Sequence, residues 1–319
     1  MKDDFVLQPE SFAKKLIEAL KSKFKRELKF DYQTVIKTND CCKPAIVVKE
    51  PNSQVAKTIY IENMFRRHVE DGVEIEELAN SLISICDMKS EIEDIVTDTD
   101  ELFQKMKDFK YLLNGNIMFK LINREKSNKF LEGKTYIPYL DLAVLFCMTI
   151  RDVDGLGTVA IPEVCSKEWG VSLEEAYEEA LKVIEKDYPV FEVSMKEFMF
   201  GLMDESEELK EELERDKFKP ANDMYIMSNQ EKIHGSTVLL YKGELARFCD
   251  EKELTELFIL PSSIHEVILI PRRAGAGDEK ELQTMVCEVN KTQVQDHEVL
   301  SNNLYIYNRE TDEITIWND

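Results

Sequence analysis

The hydrophobic period of this chain switches repeatedly between helical and extended, and no strand–helix–strand unit repeats, which narrows the fold more than any other feature. Phe12, Leu16, Leu20 and Phe24 recur at helical spacing with Ile17 beside them, making one face of an amphipathic helix whose lysines point outward. Residues 32–37 and 45–50 alternate or run apolar and predict a strand pair. Helical spacing returns over 61–69 and 75–85, with Gly72 ending the first of these helices. A helix is expected over 101–113, a turn at Asn114-Gly115-Asn116, a strand over 117–122 and a second apolar stretch over 140–150. Ser172 and Glu175 form a capping box before apolar positions 173, 176, 177, 180, 181 and 184, with Val171 and Ala176 as the staple. Strands are expected at 224–227, 237–241, 258–260 and 267–270, helices over 244–254 and 280–289, and a hairpin from 303–307 and 313–317. So irregular a mixture predicts an α+β fold of helices and short, mainly antiparallel sheets.

Breaks in composition suggest modules. Residues 87–100 are acidic and poor in large apolar side chains, and 204–217 hold eight acidic against three basic residues before Lys219-Pro220-Ala221-Asn222. The expected modules are 1–90, 91–219 and 220–319.

The charge limits the partners. Among 319 residues, 63 acidic side chains oppose 41 basic ones, a net charge of −22, which phosphate backbones and anionic lipid surfaces repel. Nucleic acid and membrane are therefore excluded as expected partners, leaving a protein partner. The longest strongly apolar run, 142–150, is less than half of the roughly 20 residues a membrane helix needs. No basic leader with an apolar stretch follows Met1, and the seven cysteines are odd in number and mostly in apolar surroundings. The expectation is a cytoplasmic protein with reduced thiols. Residues 1–49 carry +4 and the remainder −26, so the basic first helix could complement an acidic partner or the acidic body of its own chain.

Three motifs resemble chemistry. Asp152, Asp154 and Glu163 occupy positions one, three and twelve of a calcium-type loop, but Leu156 stands where a ligand oxygen is needed and Pro162 adjoins the bidentate position. A tight acidic turn between strands is the preferred reading, with no metal expected. In Leu260-Pro261-Ser262-Ser263-Ile264-His265-Glu266, a nucleophile, base and orienter stand together. On an extended strand, however, Glu266 points away from the face shared by Ser263 and His265. Arg272 and Arg273 precede a loop with Gly275 and Gly277, yet the phosphate-loop spacing is absent and Asp278 and Glu279 place negative charge at the next helix start. The histidines, His68, His234, His265 and His297, have no His or Cys at i+3 or i+4, so no local metal motif is formed, and no cofactor fingerprint is present.

With these stretches in view, the chain resembles a family. The run from Phe258 through Leu260-Pro261-Ser262-Ser263-Ile264-His265-Glu266 to Pro271, the segment from Trp169-Gly170-Val171-Ser172 to Ala180, and Phe119-Lys120-Leu121-Ile122-Asn123-Arg124 followed by Ile137 to Ala143 are similar to the domain-of-unknown-function family numbered 5688, common in anaerobic gut Firmicutes. The resemblance implies a polar turn without calcium ligands at 151–163 and a variable loop after Pro271. It also places His265 and Glu266 inside a shared block. The expectation is an interaction or regulatory protein without catalysis. The alternative is a hydrolase or small-molecule enzyme using Ser263, His265 and Glu266 with a partner such as Asp141.

Overall fold

The computed structural model describes residues 8–51, 56–87, 99–152, 155–202, 224–261, 263–273 and 278–318. Within these residues the chain is an α+β fold with three mainly antiparallel sheets.

Helix α1 (Pro9–Lys21) buries Phe12, Ala13, Leu16, Ile17 and Leu20 against the sheet of β1 (Lys29–Ile36), β2 (Cys42–Lys49) and β3 (Lys57–Tyr60). Helices α2 (Glu62–Glu70) and α3 (Ile75–Asp87) complete this first unit, with Leu78, Ala79 and Leu82 in the same apolar core. Each fully buried large side chain contributes about 1.5–3 kcal/mol. The ion pairs around it, Lys14–Glu10, Lys23–Glu76, Arg26–Glu50 and Lys43–Glu62, lie at the surface, where solvent screening leaves them little weight. Packing therefore holds the unit, and these four basic residues are matched by acids of the same unit.

The expected helix over 101–113 is two helices, α4 (Thr99–Lys107) and α5 (Phe109–Leu113). Asp108 divides them because its carboxylate accepts the Tyr111 amide at 3.1 Å and so starts a new helix. The second sheet follows: β4 (Ile117–Asn123) and β5 (Tyr136–Tyr139) flank β6 (Leu142–Asp152), which also pairs with β7 (Gly155–Ala160). Between β4 and β5 lies the short helix α6 (Asn128–Leu131). Strand β6 is apolar on both faces because both are covered. Phe146 and Met148 face a large core with Phe119, Trp169 and Leu181, while Ala143, Leu145 and Cys147 face a smaller one with Ile122 and Leu131. The short helix α7 (Glu163–Ser166) leads to α8 (Leu173–Asp187), whose Ala176, Ala180, Leu181 and Ile184 cover the large core.

The third sheet runs β13-β12-β10-β11-β9-β8, from β8 (Val190–Ser194), β9 (Tyr225–Asn229), β10 (Glu256–Leu260), β11 (Val267–Pro271), β12 (Tyr305–Asn308) and β13 (Glu313–Ile316). Helix α9 (Met195–Leu202) follows β8, α10 (Glu244–Lys252) precedes β10, and α11 (Glu279–Thr292) covers the sheet face of Phe258, Leu260 and Ile270 with Leu282 and Val286. The strand expected over 237–241 is a 3-10 helix, Gly235–Leu240, with all six residues buried. Periodicity cannot separate a short buried helix from a buried strand. The acidic segment 204–217 lies outside the described residues. On either side of it β8 and β9 pair directly, and the large core runs from Met106 to Tyr307.

The first unit docks on the rest through the 3-10 turn Thr38–Asp40. Both carboxylate oxygens of Asp40 accept amides of α6, from Lys129 at 3.0 Å and Phe130 at 2.9 Å. The Asn39 amide group donates to the Asp296 and Val299 carbonyls at 2.7 Å each, and the Thr38 hydroxyl donates to the His297 carbonyl. Asn39 sits at φ 60°, in the left-handed region that Asn tolerates best among side-chain-bearing residues.

Candidate functional site

This docking turn and the second sheet bring together residues far apart in the chain. Lys120 is central in β4, where the other six residues are buried, and it projects from the same face as Ile122, Leu145 and Cys147. Thr158 of β7 lies on that face too, since it pairs with Thr149 two residues beyond Cys147. Three loops of the third sheet's half of the molecule cross it. His234 follows β9, His265 lies between β10 and β11, and His297 with Glu298 precedes β12. Lys37, at the end of β1, approaches from the first unit.

His234 is 8% exposed, takes a left-handed conformation at φ 50°, and places Nε2 at 3.0 Å from the Thr158 hydroxyl. Its ring stacks on that of His265, with centroids 5.9 Å apart and planes at 20°. Glu298 Oε1 stands 3.8 Å from His265 Nε2 and 3.9 Å from His297 Nε2. Nδ1 of His234 and of His297 are buried without a hydrogen bond from the protein. Lys120 is half-buried by surface area, yet its ammonium is enclosed enough that desolvation lowers its pKa, and it makes no hydrogen bond or ion pair within the described residues.

The electrostatics follow from burial and from Lys120. Burial first, then the charges of Lys120 and His265, lower the His234 pKa to about 3, so that ring is neutral at physiological pH. His297 is lowered for the same first reason, and then by Lys37, against the opposing pull of Glu298. Burial pushes the Cys147 thiol up to about 12, which makes it an inert neighbour of Lys120. The cluster thus holds an unpaired ammonium, three imidazoles, of which that of His234 is neutral, and one carboxylate. Because the His234 and His265 rings stack, their nitrogens do not converge, and no group of three or more His, Cys, Asp or Glu side chains forms a metal-holding set among the described residues.

Of the candidate catalytic residues Ser263, His265, Glu266 and Asp141, His265 alone belongs to this cluster. The Ser263 hydroxyl accepts the His265 backbone amide at 3.0 Å, so it closes a turn, and Ser262 lies outside the described residues. The carboxylate near His265 is Glu298, and no ion pair joins His265 to Glu266. Asp141 accepts hydrogen bonds from Ser301 at 2.6 Å, from Asn303 at 3.0 Å and from the Tyr305 hydroxyl, and makes none with His265. It ties the start of β6 to the loop before β12.

Of the calcium-type residues, Asp152 and Glu163 stand at opposite ends of β7. Asp152 and Gly155 close the β6–β7 hairpin, while Asp154 and the Asp152 side chain lie outside the described residues. Glu163 follows the whole of β7, roughly 17 Å along an extended chain from the hairpin tip, and pairs with Lys167 at 2.7 Å. Arg272 is held by Glu256 and Glu279, and Asp278 caps α11 by accepting the Lys280 amide at 2.9 Å.

Sequence reasoning missed Lys120, Thr158, His234, His297 and Glu298 as a group. One signal was available for Lys120, a lysine at the centre of an otherwise apolar run. Convergence of the others is tertiary and has no local signature.

Comparison with known proteins gives one match. The profile of a family of unknown function (DUF5688) matches residues 9–309. No curated protein and no solved structure matches.

Proposed function

Since the chain belongs to this family of unknown function along residues 9–309, we propose its role from the recess: a cytosolic interaction or regulatory protein that acts by binding, with Lys120 as the anchor for an anionic group on a protein partner. The observation that carries this is the Lys120 ammonium. A charge taken out of water without a counter-ion costs several kcal/mol, so a protein that keeps one in a sheet face has a use for it. The surrounding imidazoles are donors for the remaining oxygens of such a group once they are oriented or protonated. Glu298 opposes the anion and so limits binding to ligands that reach Lys120 itself. Seven free cysteines accord with a reducing compartment.

The hydrolase alternative has less support. Ser263 is 6% exposed, and its hydroxyl is engaged with the main chain. A nucleophile must be within hydrogen-bond reach of its base and open to substrate.

Thermal denaturation at constant ionic strength, with phosphate or acetate replacing chloride, tests the binding reading. The wild type should gain several degrees, and Lys120→Met should lose that response while keeping a cooperative transition. An undiminished response in Lys120→Met would overturn the assignment. Hydrolysis of simple ester substrates abolished by Ser263→Ala would establish the alternative.

A further inference from the structure

A second site lies at the docking turn itself. A cavity of about 330 Å³ opens between Asn39 and Cys41 of the first unit, Lys126, and the segment from Cys287 to Asn302. Its volume is at the lower end of ligand pockets, so its occupant is small. Asn290, 4% exposed, lines it. The Asn290 Nδ2 donates to the Ser301 carbonyl and to Asn302 Oδ1, both at 2.8 Å, which fixes the amide so that Oδ1 is the acceptor end. That Oδ1 is buried and has no hydrogen-bond partner in the protein. It calls for a donor.

The charged groups of the cavity have both signs. Lys126 and Lys291 are exposed on its wall and their ammonium groups form no ion pair among the described residues. The Asp296 carboxylate is exposed on the same wall and is also without an ion pair, while its backbone carbonyl is held by Asn39. A simple anion would satisfy the lysines but face Asp296 and leave Asn290 Oδ1 unmet. A simple cation would face two lysines. We propose that this cavity binds a small zwitterion of the α-amino acid type, its ammonium on Asn290 Oδ1 and Asp296 and its carboxylate on Lys126 and Lys291. The same chemistry is carried by free amino acids and by short peptides. Because Asn39 from the first unit and α11 from the body both line the cavity, an occupant would bridge the two. This inference does not depend on the Lys120 recess.

Cys287 is exposed, lines the cavity and reports its occupancy. The test is iodoacetamide labelling of the full chain, read by peptide mass spectrometry, with each of the common amino acids, a set of dipeptides, and N-acetylated amino-acid amides lacking both charges. A fitting zwitterion should slow labelling of Cys287 and leave that of exposed Cys42 unchanged, and the uncharged derivatives should do nothing. Lys126→Glu with Lys291→Glu, two surface substitutions compatible with folding, should weaken protection about tenfold. Protection by free amino acids assigns the site to them, and protection by dipeptides alone assigns it to peptides. Absence of protection by either, equal protection by the uncharged derivatives, or full protection in the double variant would overturn the proposal.

Discussion

Gly235 stands where β9, the 3-10 helix and the His265 loop meet without room for a side chain. A Cβ there would overlap the Ser228 hydroxyl and the His265 carbonyl, which are hydrogen-bonded to each other at 2.8 Å. Because one obstacle is backbone, Gly235→Ala should cost about 3 kcal/mol or more in urea denaturation and displace the His265 loop. Its neighbour His234 makes stability depend on pH. The folded-state pKa of about 3 lies below the unfolded value near 6.5, so on acidification the unfolded chain takes up this proton first. Stability is therefore complete above about pH 6.5 and falls on the way to pH 3, by about 1.4 kcal/mol per pH unit from this group. His234→Asn, which suits the left-handed backbone, should flatten that slope in denaturation curves taken between pH 7 and pH 4. An unchanged slope would mean that the imidazole is not buried neutral. These residues also mark where sequence reading ends. His265 was singled out for its company in Ser263-Ile264-His265-Glu266, yet the groups beside it are His234 and Glu298, from two other parts of the chain. Local spacing cannot encode a meeting made by tertiary packing.

Elements with local causes were legible, and those with remote causes were not. The capping box is present as read: the Glu175 amide donates to the Ser172 hydroxyl at 3.1 Å and the Ser172 amide to the Glu175 carboxylate at 2.9 Å. Those bonds hold the Glu175 pKa below the usual carboxylate range. Ser172→Ala should cost about 1 kcal/mol, measured as a lower denaturation midpoint with the recess unaffected. The C-terminal hairpin, with its turn between β12 and β13, was equally readable. By contrast β3, β5 and β8 are short and owe their extended form to a partner strand rather than to their own pattern. The buried run Val238-Leu239-Leu240 became a 3-10 helix because Gly235 must pass beneath the His265 carbonyl, a constraint set by a segment about thirty residues away.

The molecule as a whole has two principal apolar cores, one from Phe12 to Cys86 and one from Met106 to Tyr307, joined where Thr38, Asn39 and Asp40 bond to α6 and to the loop after α11. The Lys120 cluster and the cavity both adjoin this joint. The basic excess of the first 49 residues, which suggested either an acidic partner or the acidic body of the same chain, is answered in part by Glu10, Glu50, Glu62 and Glu76 of the same unit. The Lys37 ammonium instead lies over the Tyr60 ring, 4.3 Å from its centroid. The central claim is that Lys120 is an unpaired ammonium kept for an anion. The most direct test is NMR of the protein with reductively 13C-methylated lysines, the Lys120 signal assigned by its loss in Lys120→Met and followed against pH with and without inorganic phosphate. The account predicts a Lys120 pKa below the ordinary lysine value in the free protein, rising when phosphate is added. A Lys120 signal that titrates as an ordinary surface lysine and does not respond to phosphate would contradict it.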